Sequence, residues 1–203
     1  RLKTAEQVRT YDLSGVCARE TGDFNSAETW LKKGLSLDRK NASIYNNLGI
    51  LYAMEEHFEK AAKALEKAVS YNPGRADFTN NLGWVTMARK DYAGAQIYFK
   101  KSLALDPGNA TAVNNLALSL GMQNKDTQAF DLLRRHQSPE DARDNMEYIR
   151  TRREETGRTW ERPFKVQARK PLAPDNDNAA TGLPGDGANE VYKNYQDALK
   201  KSE

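Results

Sequence analysis

In 203 residues the sequence has one cysteine, Cys17, and two histidines, His57 and His136. A single thiol excludes an internal disulfide and a cysteine-rich metal site. The histidines have no ligand partner at metal spacing, and both are expected on the surface. No apolar run approaches the roughly 18 residues that a membrane-spanning helix needs, and no basic-then-apolar leader opens the chain. Residue 1 is Arg, which is compatible with a leader or lipid anchor upstream. The phosphate loop G-x-x-x-x-G-K-[ST], the zinc helix H-E-x-x-H and the nucleophile elbow G-x-S-x-G are all missing. Asp175–Asn178, "DNDN", starts like a calcium loop, but Ala180 stands where that loop requires glycine and no bidentate Glu follows. Neither a cofactor nor a metal is expected, and the chain does not read as an enzyme. Hydrophobic residues make up only 38% and charged ones 29%, with mean hydropathy −0.84. That is poor in apolar material for one compact core of this length. An elongated array, a polar tail or both fit better.

Repetition is what the sequence has instead. "NNLG" at Asn46–Gly49 returns at Asn80–Gly83, and "NNLA" follows at Asn114–Ala117, each 34 residues after the last. A period of 34 is that of stacked helix-turn-helix units, none of which can bury its own face. Around the first motif stand Tyr45, Leu48, Gly49 and Tyr52, then Ala61, Leu65, Ala68 and Pro73. One period on come Leu82, Gly83, Ala95, Phe99 and Pro107; two periods on, Val113, Leu116, Ala117, Leu120, Ala129 and Leu133. One period back, Tyr11, Gly15, Ala18, Ala27 and Leu31 mark a first unit. Small residues at Gly49, Gly83, Ala117, Ala61, Ala95 and Ala129 admit closely packed helices, and large apolar residues three or four apart supply the buried stripe. Asn72-Pro73-Gly74 and Asp106-Pro107-Gly108 end one helix and admit the next. The expected class is therefore all-α, with units at about 8–41, 42–75, 76–109 and 110–141. Ser138-Pro139-Glu140-Asp141 predicts an N-cap and the start of a capping helix over 138–157. The Pro, Gly, Asn and Asp of 158–189 predict a disordered or extended linker. Val191, Tyr192, Tyr195 and Leu199 fall at helical spacing in a short amphipathic segment, 190–203, that could dock on a groove or on a partner.

The pattern Tyr45-x2-Leu48-Gly49-x2-Tyr52…Ala61-x3-Leu65…Pro73 resembles the tetratricopeptide repeat (TPR), and the resemblance covers about residues 8–141. It implies a right-handed superhelix of antiparallel helix pairs in which the first helix of each pair lines a concave wall. On that wall the expected groove residues are Asn46, Asn47, Ile50 and Met54, then Asn80, Asn81, Trp84 and Met87, then Asn114, Asn115, Leu118 and Met122, with Ser43, Asp77 and Thr111 beside them. An amide offers a donor and an acceptor without charge, so it can pair with the backbone of a peptide of any sequence. Ile50, Trp84 and Leu118 would take apolar side chains, Trp84 being the strongest anchor. The alternative is that the amides cap neighbouring helices or simply suit a solvated concave face. One TPR subtype grips the carboxylate end of a chaperone tail with bases; Ser43, Asp77 and Thr111 hold those places here, leaving only Arg9 and Arg19, so such a clamp is not expected.

Cys17, inside a helical stretch, is expected to be a small buried side chain. The basic segment Arg150–Lys170, with Trp160 and Phe164, is interrupted by Glu154, Glu155 and Glu161; it reads as a protein-contact segment and not as a nucleic-acid site. The partner is then a protein, and a membrane enters only through an upstream anchor. Asn80–Gly83, Ser102–Asn109 and Asn114–Leu120 are similar to the TadD-type lipoproteins of Flp (Tad) pilus assembly. That resemblance implies a pilotin-like factor for a pilus secretin at the periplasmic face of a bacterial outer membrane. The alternative function is a regulatory or substrate-recruiting subunit of an enzyme complex, and the alternative location is the cytoplasm.

Overall fold

A computed structural model describes residues 2–155 of the chain. The expected linker, 158–189, and the segment carrying Val191, Tyr192, Tyr195 and Leu199 lie outside the described residues. Among those described there are nine α-helices and no strand. They run α1 (Leu2–Glu20), α2 (Phe24–Leu37), α3 (Ala42–Met54), α4 (Phe58–Tyr71), α5 (Ala76–Ala88), α6 (Tyr92–Leu105), α7 (Ala110–Gly121), α8 (Asp126–His136) and α9 (Pro139–Glu155).

The period sets both ends of these helices. Gly22, Glu56, Lys90 and Asn124 occupy one position of the repeat, and all four have positive φ, between 60° and 82°. Each is the left-handed residue that turns a first helix into its second. Asp23 and Asp91 then cap α2 and α6 by accepting the N–H of Ser26 and Gly94. Asn41 and Asn109 cap α3 and α7 in the same way, through Ile44 and Ala112. Where the period brings His57, Arg75 and Lys125 to these positions, no side-chain cap forms. Ser138 opens α9: its Oγ accepts the N–H of Asp141 and donates to the Asp141 carboxylate.

Packing follows the small residues. A Cβ on Gly49 would overlap Leu65, and one on Gly83 would overlap Phe99; Leu65 and Phe99 are both fully buried. Glycine there lets a first helix lie against its own second helix at close range. Each second helix also packs on the next first helix, and consecutive first helices touch, whereas among the described residues consecutive second helices do not. The first helices therefore form a continuous inner layer and the second helices a separated outer one. Tyr52 on α3 locks two units together by donating its hydroxyl to Glu28 on α2 at 2.6 Å. Burial, reinforced by that carboxylate, raises the phenol above its ordinary range.

At the far end α9 covers α7 and α8. Ala142, Met146 and Ile149 continue the core begun by Val113, Leu116, Ala129 and Leu133. Arg153 grips Asp126 through two hydrogen bonds, of 2.5 and 3.1 Å, and also donates to the carbonyl of Gly121. Two expectations change here. Cys17 is exposed, although Leu51 and Val85, at the same place one and two periods later, are buried. Arg152 and Arg153, expected in a segment that contacts a partner protein, are held within the chain by Tyr148, Glu155 and Asp126.

Gly121 should be decisive for the cap, because a Cβ there would overlap Ile149. Gly121→Ala should lower stability by about 1–3 kcal/mol through overpacking. Ile149→Ala, which makes room, should recover part of that loss in the double variant, so that the two costs do not add. Urea titrations of the four proteins test this.

Candidate functional site

The inner layer is where the repeated asparagines meet, and their partners are one another. Asn81 Nδ2 donates to Asn46 Oδ1 at 2.9 Å, and Asn115 Nδ2 donates to Asn80 Oδ1 at 3.0 Å, each pair being 35 residues apart. The spacing is one repeat plus one residue. In the first two "NN" pairs the first amide accepts from the unit that follows, and in all three the second donates to the unit before. Asn47 Nδ2 does the same to Asp12 Oδ1 at 2.7 Å, Asp12 standing one period before Asn46. At the other end Gln137 Nε2 donates to Asn114 Oδ1 at 2.5 Å, and Asn145 Nδ2 donates to Gln137 Oε1 at 2.9 Å. A chain of amides thus joins α1, α3, α5 and α7 to the cap.

This arrangement redistributes the expected groove residues. Asn46, Asn80 and Asn115 are 8%, 6% and 2% exposed, so they lie inside the layer and not on an open wall. Met87 is also buried, among the apolar residues shared with α7 and α8, as is Leu118. Their positions face the neighbouring unit, where water is already excluded. Asn47, Asn81, Asn114, Ile50, Met54, Trp84 and Met122 remain partly exposed. Trp84 packs on two apolar clusters at once and presents only part of its ring. Beside them Asp77 is engaged by Arg75 through paired hydrogen bonds of 2.9 and 2.7 Å.

Asp12 is the one carboxylate in the amide row. Burial raises its pKa, and the Asn47 hydrogen bond and nearby Arg19 only partly offset that. Asp12 could have been found from the sequence by subtracting one period from Asn46. Gln137 follows Asn114 by 23 residues, a spacing that no periodicity marks. Among the described residues no group of three His, Cys, Asp or Glu side chains is placed to hold a metal, and no helix is long and apolar enough to cross a membrane.

Comparison with known proteins places this geometry. Residues 46–110 match a tetratricopeptide-repeat family model, and residues 18–55 match a second model of TPR repeats. No protein of curated function matches the sequence. Among solved structures the chain is similar to an O-GlcNAc transferase variant of Thermobaculum terrenum, with 24% identity and a TM-score of 0.59 over 65% of this chain. It spans only 26% of that transferase. It is similar to PilF of Pseudomonas aeruginosa, with 21% identity and a TM-score of 0.65 over 75% of this chain and 72% of the other. A third is the first TPR of Spaghetti (RPAP3) bound to an HSP90 peptide, with 21% identity and a TM-score of 0.54 over 62% of this chain and 94% of the other.

Two measurements test the amide row. Asn80→Ala and Asn115→Ala should each cost about 1–3 kcal/mol, because each leaves a buried amide without its partner. The double variant should cost clearly less than the sum of the two. Because the folded-state pKa of Asp12 is raised, its carboxyl favours folding fully below the unfolded value, about 3.9, and that contribution is lost as pH rises through the folded value. Asp12→Asn should therefore raise the melting temperature at pH 7, with the gain shrinking as pH falls towards 4 and below.

Proposed function

From a chain whose described part is a solenoid of tetratricopeptide repeats, we propose that the protein is a non-enzymatic interaction scaffold that captures an extended peptide segment along its inner layer. The observation that carries this reading is the row of partly exposed side chains beside the amide chain: Asn47, Ile50 and Met54 on α3, Asn81 and Trp84 on α5, Asn114 and Met122 on α7. Each rung spends one half of an asparagine and leaves the other half. Asn47 and Asn81 donate within the layer and keep an acceptor, while Asn114 accepts and keeps a donor. Those remaining groups suit a peptide backbone, and Ile50, Met54 and Trp84 suit its apolar side chains.

Similar folds bind peptides: the RPAP3 domain was solved with one from HSP90. A chaperone-tail clamp does not fit this chain, because Ser43, Asp77 and Thr111 supply no base and Asp77 is already engaged by Arg75. The setting we propose is assembly of a bacterial Tad/Flp pilus or its secretin at the periplasmic face of the outer membrane. The likeness of Asn80–Gly83 and Asn114–Leu120 to TadD-type lipoproteins supports it.

Ile50 and Met54 sit one helical turn apart on α3, and neither belongs to the amide row. Ile50→Glu/Met54→Glu should leave far-UV circular dichroism unchanged and abolish recovery of secretin or pilus components from an extract of a Tad-piliated bacterium. Equal recovery by wild type and variant would remove the inner layer from the binding site.

A further inference from the structure

The outer layer carries its own pattern, unrelated to the amides. Lys33, Lys67, Lys101 and Arg135 stand one period apart on α2, α4, α6 and α8, and all four are exposed. None of them is in a salt bridge among the described residues. Four residues further along their helices, and so on the same face, come Leu37, Tyr71 and Leu105, which are 42%, 40% and 41% exposed. Four residues before Lys101 comes Ile97, at 68% the most exposed large apolar side chain described. Four of the five exposed large hydrophobics among the described residues thus flank one basic row.

Charge is partitioned to match. Neither α3 nor α7 has a charged residue and α5 has only Asp77, whereas α2, α4 and α6 each carry more bases than acids. Glu28 near the row is paired with Lys32, whereas Asp38 and Asp106, which accept backbone N–H groups in the turns after α2 and α6, keep their charge beside it. Glu66 and Asp131 remain as local opposition. Nothing in the helix pairs themselves calls for a large aliphatic side chain at Ile97.

We infer that this outer face docks on an anionic lipid bilayer. Bases at one-repeat intervals meet acidic headgroups, which attract them within a Debye length of the surface. Leu37, Ile97 and Leu105 reach the acyl boundary, in the mixed manner of an interfacial helix. Lys33 and Lys67 rest over the rings of Trp30 and Tyr45, with Nζ 4.3 and 5.0 Å from the centroids, and on a bilayer their stems carry the ammonium groups to the headgroups. A nucleic acid would use the bases but leave these aliphatic residues without a role. The row offers it little stacking surface either, since Tyr71 packs against Tyr45 with ring centroids 5.6 Å apart. The inference is independent of the inner-layer reading, which uses the opposite helices.

The test is co-sedimentation of the full chain with phosphatidylcholine vesicles, with and without about one third phosphatidylserine. Wild type should pellet only with the anionic vesicles, and less so as salt rises. Lys67→Glu/Lys101→Glu should weaken that binding about tenfold or more, and Ile97→Ser/Leu105→Ser several-fold, both with unchanged circular dichroism. Failure of wild type to pellet at low salt would overturn the inference. So would pelleting unaffected by either variant, which would place the contact elsewhere in the chain. Binding to single-stranded DNA as tight as to vesicles, and indifferent to Ile97→Ser/Leu105→Ser, would make the face a general polyanion surface and not a bilayer dock.

Discussion

One hydrogen bond, repeated, holds this stack in register. Apolar packing supplies most of the free energy of a solenoid but is tolerant of sliding, because one aliphatic ridge fits many grooves. A paired amide is less tolerant: displaced by one turn, both partners lose their hydrogen bond, and at the buried Asn115–Asn80 rung no water can replace it. The rungs Asn47–Asp12, Asn81–Asn46 and Asn115–Asn80 therefore fix how far each unit advances on the last. The glycines act with them, since Gly49 and Gly83 let each first helix lie close to its own second helix. Asn115 Oδ1 is buried without a protein donor, so register at that rung carries a solvation cost.

The fold was largely legible in the sequence, because its controlling variable is the period. Gly22, Glu56, Lys90 and Asn124 share no chemistry, yet each adopts the same left-handed conformation because each sits at the same place in the repeat. Helix pairs, inter-unit turns and the Ser138 cap could all be located from spacing. What spacing could not show is the partner of an amide. "NN" on the inner helix reads equally as two hands reaching for a ligand or as one hand reaching each way along the stack. The difference is a rotation of one residue, 100° around the helix. For the same reason Met87 and Leu118 were expected on the wall and lie in the core. Cys17 has the opposite history: Leu51 and Val85, one and two periods later, are buried, whereas Cys17 at the same place in α1 is exposed.

The two layers divide the surface by chemistry. The inner helices α3, α5 and α7 are short of charge, joined through neutral amides, and edged with Ile50, Met54 and Trp84. The outer helices hold the lysines. A solenoid can separate its surfaces in this way because each helix contributes one face to a continuous row, and a row is extended simply by repeating its residue one period later. A molecule so built can engage two partners of different kind without either displacing the other.

The direction of the amide chain has a consequence for how the protein is made. Every donor lies later in the sequence than its acceptor: Asn47 reaches back to Asp12, Asn81 to Asn46, Asn115 to Asn80, Gln137 to Asn114 and Asn145 to Gln137. As the chain leaves the ribosome from its N-terminus, each new unit finds an acceptor already set in place by the one before. Synthesis and stacking then proceed in the same sense, and a half-finished chain ends on an open carbonyl that only its own continuation is built to fill.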